Sequence, residues 1–499
     1  MKNSYSHANF IGRLSDVLVE GGLNVTTLIS EVRTTISDGT SKSHIVRVEP
    51  QEEAYRLWNT GEMPPIFDGS SHDLRSILSF VPHLREVFLL QCRHLLTKTE
   101  MIEQLRREEY DAVIGETFDY CGFGLAKIIG AKTVIATFSS SLNDYTAWIT
   151  GTPSPWAVTQ ASYSGVLDRS ISSRLWNLLA VGVDYYVNWR WAGAANDAFR
   201  ERFGNDFPSV EEMVANSSLI ITAGDPLLDL ARPTQRKIVD IGAIGIRDAN
   251  PIDAEYDAIL NLRPKTVLFS MGSVARSASL FPEYKAALAE TFKQFPDVTF
   301  IWKYEEPDNA PHVAGLDNVI LRKWIPQNDL LGDPRVSALI THGGKTSLNE
   351  VGAKGLPAVF IPIYGDQTKN AAIAVKLGFG VFLNKLDLAN AHLIEEAIRA
   401  ILYDEKYSIA AKRVAATIKD RPFTATELLV KHVKFAARYG NVKSLDMEGY
   451  DYPLYIYWNL DILLLVLMIP LISILMLGWC ILRSSSQSTI VNKEKMKQN

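Results

Sequence analysis

Apolar and polar positions alternate along this chain in blocks that predict a repeating strand–helix order between residues 264 and about 440. Short apolar runs near Thr266–Ser270, Val298–Trp302, Val319–Leu321, Ala338–Thr341, Ala358–Ile361 and Val381–Leu383 read as buried strands, with helix-like segments between them. Such alternation predicts a parallel, doubly wound sheet. Nearer the amino terminus, Ala8 to Glu20 places Phe10, Leu14, Val17 and Leu18 at helical spacing. Asn24 to Ile29 reads as a strand, and Ala112 to Gly115 as a short buried strand that ends at Glu116. From about Ser139 to Arg202 the pattern becomes helix-rich and aromatic, with Tyr145, Trp148, Trp156, Tyr163, Trp176, Tyr185, Tyr186, Trp189 and Trp191. Rings in that number suit an apolar pocket, a core or a membrane-facing surface, and the pattern does not choose among them. Neither an internal repeat nor a low-complexity tract interrupts the chain.

The last apolar block differs in kind. Ile462 to Leu482 is a run of 21 residues without a charge. As a helix it reaches about 31 Å, close to the roughly 30 Å hydrocarbon core of a bilayer. Pro470 within it is better tolerated in a membrane helix than in a soluble one. A transmembrane helix is therefore expected. Arg483, Lys493, Lys495 and Lys497, opposed by Glu494, follow it, whereas Asp446, Glu448, Asp451 and Asp461, opposed by Lys443, precede it. The basic side faces the cytosol, which places residues 1 to about 460 in a lumen. Tyr450, Tyr452, Tyr455, Tyr457 and Trp458 fit the headgroup interface on that side.

Composition narrows the picture only slightly. A chain of 499 residues with 47% hydrophobic content can build two or more cored domains. Its formal charge of −5 and lack of a long basic stretch argue against nucleic acid as a partner. Cys92, Cys121 and Cys480 cannot make a disulfide framework. Neither an Asp-x-Asp motif nor a His/Cys cluster with zinc spacing is present, so no metal is expected. Asn24-Val25-Thr26 and Asn216-Ser217-Ser218 permit glycosylation.

The chemistry concentrates between Trp324 and Gln367. The strand ending at Thr341 runs into His342-Gly343-Gly344 and then a helical pattern; the strand from Ala358 runs to Gly365-Asp366-Gln367. A strand–glycine–helix turn brings backbone N–H groups and the positive helix end to an anion. Gly343 and Gly344 permit close approach of the main chain to a phosphate, and His342 adds a side-chain donor. Trp324 offers a face to a base and Gln327 an amide to its edge; Glu350 suits ribose hydroxyls, and Asp366 with Gln367 suits the hydroxyls of a sugar. Taken singly, each has a structural alternative, since a lone Trp is commonly core and a lone His commonly a satisfied structural residue.

Together, Trp324, Gln327, Thr341-His342-Gly343-Gly344, Glu350, Pro362 and Asp366-Gln367 resemble the signature of the UDP-glycosyltransferases, in particular the animal UDP-glucuronosyltransferase branch. Phe269-Ser270-Met271-Gly272-Ser273, Ile238 to Ile246, Phe203-Gly204 and Asn216 to Pro226 fit the same pattern. The resemblance implies two Rossmann-like α/β domains facing a cleft, the GT-B arrangement. An acceptor domain spans residues 1–240, a linker 241–263, a UDP-sugar domain 264–440, a juxtamembrane segment 441–461, the membrane helix 462–482 and a cytosolic tail 483–499. It implies inverting transfer of a sugar, glucuronic acid first and glucose as the alternative, from UDP to a hydroxyl of a small lipophilic acceptor, as in detoxification. The UDP-sugar is a co-substrate and no cofactor is implied. Ser273 and Thr346 join the donor-binding residues by the same resemblance. Lys345, where the family often has a small polar residue, reads as a solvated helix position.

His7 matches the family's catalytic base within Ser4-Tyr5-Ser6-His7, read as a loop. Glu116 aligns with the acid that orients it, with Asp119 in reserve. The ending KEKMKQN resembles a dilysine retrieval signal, which implies an endoplasmic reticulum membrane protein. No apolar leader precedes the first helix and the family's first strand is missing, which predicts a truncated gene model or isoform. For that reason an inactive nucleotide-sugar-binding membrane protein stands as the second hypothesis, and a homo- or hetero-oligomer is left open.

Overall fold

The computed structural model describes residues 1–2, 4–60, 66–156, 161–166, 168–242, 244, 246, 249–449 and 452–495. Ala243, Gly245, Tyr450, Asp451 and Lys497, which figure in the sequence patterns above, lie outside the described residues. The chain divides into two compact units, Met1–Asp446 and Met447–Asn499.

Three parallel sheets build the larger unit. Strands β1 (Thr26–Ser30) and β2 (His44–Val48) form a pair. Strands β3 (Val113–Glu116), β4 (Val134–Phe138), β5 (Leu219–Thr222) and β6 (Ile238–Asp240) follow in chain order in a second sheet. The third sheet contains β7 (Lys265–Ser270), β8 (Val298–Lys303), β9 (Val319–Arg322), β10 (Val336–Thr341), β11 (Ala358–Phe360) and β12 (Gly380–Phe382), in the spatial order β12-β11-β10-β7-β8-β9. All six segments read as strands from the sequence are strands. β7 and β8 are buried almost throughout because helices cover both faces of a parallel sheet.

The order of the third sheet reverses between β7 and β10, so the loops leaving their carboxyl ends diverge and open a crevice. Ser270 at the end of β7 pairs with Thr341 at the end of β10. The Met271–Ser273 and His342–Gly344 turns therefore start side by side. In the second sheet, Glu116 at the end of β3 pairs with Thr137 near the end of β4. The second and third sheets thus present strand ends, and the loops that carry chemistry, to the same cavity. This is a two-Rossmann α/β arrangement.

Helix Tyr5–Glu20 starts three residues before the expected Ala8. Ser4 is extended and its carbonyl accepts from the Ala8 N–H, closing the first turn there. His7 consequently sits on a helical turn rather than in a loop. Phe10, Leu14, Val17 and Leu18 pack with Ile135, Leu219 and Ile221 of the second sheet. Leu429, Val433 and Ala436 of helix Ala425–Tyr439 share that cluster, so the last helix of the larger unit packs against elements from its beginning. Residues 241–263, read as a linker, include helix Ala254–Leu260, whose Tyr256, Ile259 and Leu260 are buried with Leu268 and Ile301. At the amino terminus, Lys2 makes a parallel bridge to Glu31, just past β1.

Two long helices, Leu74–Leu96 and Ile171–Phe203, share a core through Val87, Phe88, Val187 and Trp191. Cys92 on the first forms a disulfide with Cys121, which opens helix Cys121–Ile128, while Cys480 is free. The cysteine count correctly excludes a framework of several bridges but conceals this single one. The partners are 29 residues apart and meet only through packing.

In the smaller unit, helix Leu460–Lys495 contains an apolar stretch, Leu460–Arg483, of 24 residues with mean hydropathy 2.8. It is long and apolar enough to cross a membrane, in keeping with the span read at 462–482.

Candidate active site

A cavity of about 880 Å³ runs between the strand ends of the second and third sheets. His7 lines it, within the first turn of its helix. Its Nδ1 lies 2.6 Å from Glu116 Oε1 and 3.0 Å from Ser139 Oγ. The Phe118 ring stacks against the imidazole with centroids 4.2 Å apart. Burial alone would lower the His7 pKa, but the Glu116 carboxylate outweighs it and raises it above the ordinary imidazole value. Burial would likewise raise Glu116, yet His7 holds it below its usual range. The two shifts describe one interaction: the carboxylate stabilises the imidazolium and fixes the ring with Nε2 as the remaining base.

Asp119, the reserve partner, is placed elsewhere. Its Oδ1 accepts from the Cys121 N–H at 3.0 Å and its Oδ2 from the Met1 ammonium at 2.5 Å. It therefore receives the first N–H of helix Cys121–Ile128 and pairs the terminus instead of orienting His7.

Across the cavity, His342, Gly344, Thr346 and Ser273 line the crevice at the switch point. Burial, assisted by Lys303, pushes the His342 pKa down to about 4, so this imidazole is neutral and offers one N–H. Gly343 has φ +85, a conformation that disfavours a side chain, and its carbonyl accepts from Asn370 Nδ2 at 3.0 Å. Gly272, at φ +80, lies so close to His342 that a Cβ there would stand 2.5 Å from the ring. Thr341 is buried behind the turn, with its Oγ1 3.3 Å from His342 Nδ1. Gly344 is the N-cap of helix Lys345–Lys354, whose first residues Lys345, Thr346 and Ser347 line the cavity; the first N–H groups of a helix have no partner within it.

Trp324 is 53% exposed, so it has a face available to a ligand. Tyr5 meets its ring edge-on at 5.2 Å and Lys303 lies 5.7 Å over it. Gln327 Nε2 donates to Glu350 Oε2 at 2.5 Å and to Ser347 Oγ at 3.2 Å. Burial pushes the Glu350 carboxyl up to about 7, against the opposing effect of that bond. Gln367 Oε1 accepts from the N–H groups of Ile363 (2.8 Å) and Tyr364 (3.1 Å), which holds the turn after β11. Asp366 accepts a hydrogen bond from Ser140, joining that turn to the loop after β4.

Ten of the residues singled out from the sequence therefore line one cavity: His7, Ser273, Trp324, Gln327, His342, Gly344, Thr346, Glu350, Asp366 and Gln367. Glu116, Thr341 and Gly343 stand directly behind them. Lys345 departs from its reading as a solvated residue. It is buried, with Nζ 3.4 Å from the Leu228 carbonyl and 3.6 Å from Asp229. The carboxylate that receives it comes from another part of the chain, which local spacing cannot reveal. Ser139, Phe118 and Lys303 also border the cavity and were missed. Ser139 and Lys303 stand at the carboxyl ends of β4 and β8, where the switch-point rule directs attention. The aromatic insertion divides: Tyr163 and Trp191 line the cavity, whereas Trp148, Trp156, Tyr186 and Trp189 are exposed.

Known proteins are similar to this chain in sequence and in fold. The family model described as "UDP-glucoronosyl and UDP-glucosyl transferase" matches residues 1–496. The Caenorhabditis elegans protein ugt-48 is 31% identical over 419 residues, covering 82% of this chain and 78% of that protein. Human UDP-glucuronosyltransferase 1A10 is 30% identical, covering 76% of this chain and 70% of its own length. Among solved structures, Os79 from O. sativa superposes with a TM-score of 0.58 at 16% identity, over 88% of this chain and 99% of that one. The structural neighbours are GT-B glycosyltransferases, and this chain has their fold.

Proposed function

Because the chain belongs to the UDP-glucoronosyl and UDP-glucosyl transferase family and is a UDP-glycosyltransferase, we propose that it moves glucuronic acid from UDP-glucuronic acid to a hydroxyl of small lipophilic acceptors, with inversion. The observation that carries this reading is the placement of the His7–Glu116 pair on the same cavity as the glycine turn at Gly343–Gly344. One holds a base and the other a cradle for a departing diphosphate. The choice of glucuronic acid is supported by the names of relatives such as human UDP-glucuronosyltransferase 1A10.

The reaction is a single displacement. Nε2 of His7 takes the proton of the acceptor hydroxyl as its oxygen bonds to the anomeric carbon. The bond from that carbon to the UDP oxygen breaks, and UDP leaves with the electron pair. Glu116 stabilises the imidazolium that forms. The N–H groups opening helix Lys345–Lys354 and the neutral His342 donate to the growing negative charge. Trp324 and Gln327 hold the base, Glu350 the ribose, Ser273 and Thr346 the phosphates, and Asp366 with Gln367 the sugar. The body is assigned to the lumen of the endoplasmic reticulum, on the strength of the charges flanking the span and the lysine-rich ending.

Microsomes containing the full chain are expected to conjugate a simple phenol with UDP-glucuronic acid at least about tenfold faster than with UDP-glucose, one tenfold step corresponding to about 1.4 kcal/mol. A reversed ratio would assign the glucosyl reaction, and no turnover with UDP still bound would leave a binding protein. Trp324→Ala is expected to raise the Kd for UDP about tenfold in calorimetry, in line with the 1–3 kcal/mol of base stacking. Unchanged affinity would remove Trp324 from the base site.

A further inference from the structure

Strand β4 ends at Phe138, and Ser139, Ser140 and Ser141 follow it. Their hydroxyls go to three different parts of the site. Ser139 Oγ lies 3.0 Å from His7 Nδ1. Ser140 donates to Asp366 in the turn after β11. Ser141 donates to Asp229, which lies 3.6 Å from Lys345 Nζ and 3.8 Å from Lys369 Nζ. Those lysines stand in the first turns of helices Lys345–Lys354 and Gln367–Leu377. The reaction above uses His7, Asp366 and the start of helix Lys345–Lys354, and leaves the serines without a role.

The loop is fixed at both ends. The Ala223 N–H, just past β5, donates to the Phe138 carbonyl at 2.9 Å and to the Ser140 carbonyl at 3.1 Å. Ser141 is buried, and Leu142 joins the core around the two long helices. Asn143 then opens helix Asp144–Ile149, accepting from the Thr146 N–H at 2.7 Å. At the base, burial would raise the Glu116 pKa; His7 first, then the Met1 ammonium and the Ser139 hydroxyl, hold it down. A glutamate has one more rotatable bond than an aspartate, so a second tie restrains it usefully. Asp366 opens its helix with φ −74 and ψ 0 and without a side-chain cap. Capping side chains reach their helix from an extended backbone, so this carboxylate is not engaged by its own helix. It has one hydrogen-bond partner among the described residues, Ser140.

We propose that the Ser139–Ser141 loop is the positioning element of the transfer: one rigid segment that sets the separation between the base and the donor sugar. Ser139 acts through His7 and Glu116, Ser140 through Asp366, and Ser141 through Asp229. This rests on the transfer reaction proposed above and adds what holds its two sides in register. Reacting atoms must come within about 3–3.5 Å, so a small error in that separation is costly.

Single alanine variants of the full chain in microsomes test it, because each serine predicts a different loss. Ser139→Ala is expected to lower kcat about tenfold, with KM for UDP-glucuronic acid and Kd for UDP unchanged within about twofold. Ser140→Ala should raise KM for UDP-glucuronic acid about tenfold, the scale of a hydrogen bond to a charged group, and leave Kd for UDP within about twofold. UDP-glucose should show the same loss, since the two sugars share their ring hydroxyls. Ser141→Ala should raise Kd for UDP about fivefold, the scale of a weakened ion pair. On an Asp366→Ala background, Ser140→Ala should add less than about twofold. If an alanine variant does not fold, the cysteine variant, near in size but a weak donor, serves in its place. One shared pattern of loss in all three variants, as from a loop that only supports the fold, overturns the proposal. So does full additivity of Ser140→Ala with Asp366→Ala. A parent that binds UDP but transfers to no phenol overturns instead the transferase reading. The ratio of Kd for UDP-glucuronic acid to Kd for UDP then tests the loop, and Ser140→Ala should still raise it about tenfold.

Discussion

Replacing His7 with alanine is expected to lower kcat on the order of 10³-fold, the scale of a lost general base, while UDP affinity stays within about twofold. The separation of the two effects follows from geometry. His7 is held by Glu116 at 2.6 Å on one side of the cavity, whereas the cradle proposed for UDP consists of the turns after β7 and β10 on the other. The pH profile gives a second readout. The base must be neutral to accept a proton, and Glu116 raises its pKa above the ordinary imidazole value. Activity should therefore climb as pH rises through that raised value. In Glu116→Gln the stabilising charge is gone, so the rising limb should move to lower pH even as kcat falls. Retained kcat in the alanine variant, or a limb in Glu116→Gln that stays in place, would remove the pair from the mechanism.

Loss of the Cys92–Cys121 bridge should cost the larger unit about 3–4 kcal/mol, from the entropy of a closed loop of some thirty residues. The bridge ties helix Leu74–Leu96 to the start of helix Cys121–Ile128, five residues beyond Glu116. Its removal is expected to affect the base more than the donor site. Cys92→Ala with Cys121→Ala should unfold at clearly lower denaturant and lose kcat before UDP affinity. Thiol labelling checks the bridge itself: unfolded but unreduced chain should react once, at Cys480, and reduced chain three times. Three reactive thiols before reduction would show that the bridge does not form.

The half of the larger unit built on the third sheet was largely legible because its information is local. Each strand of the third sheet is an apolar run bounded by polar turns, and a parallel strand covered on both faces needs only that. The glycine turn was legible for a similar reason: Gly343 must adopt φ +85, which few other residues tolerate, so composition marks the place. His7 was legible only through family resemblance. Nothing near it in sequence announces Glu116, which is 109 residues away and reaches it through the packing of helix Tyr5–Glu20 on the second sheet. Asp119 shows the limit from the other direction. Three residues on from Glu116, it is the reserve carboxylate by resemblance, and the structure commits its two oxygens to the Cys121 N–H and the Met1 ammonium.

The sequence by itself determined the strands of the third sheet, the glycine turn at Gly343–Gly344, the family and a carboxyl-terminal segment fit to span a membrane. Those properties depend on periodicity, on backbone conformations open mainly to glycine and on the length of an apolar run, all of which are encoded within a few consecutive residues. The tertiary structure decided which carboxylate serves His7, that Cys92 finds Cys121, that Lys345 is buried beside Asp229, and that Ser140 reaches Asp366. Each is a meeting of residues from distant parts of the chain, selected by the need to pair buried polar groups once the helices have packed.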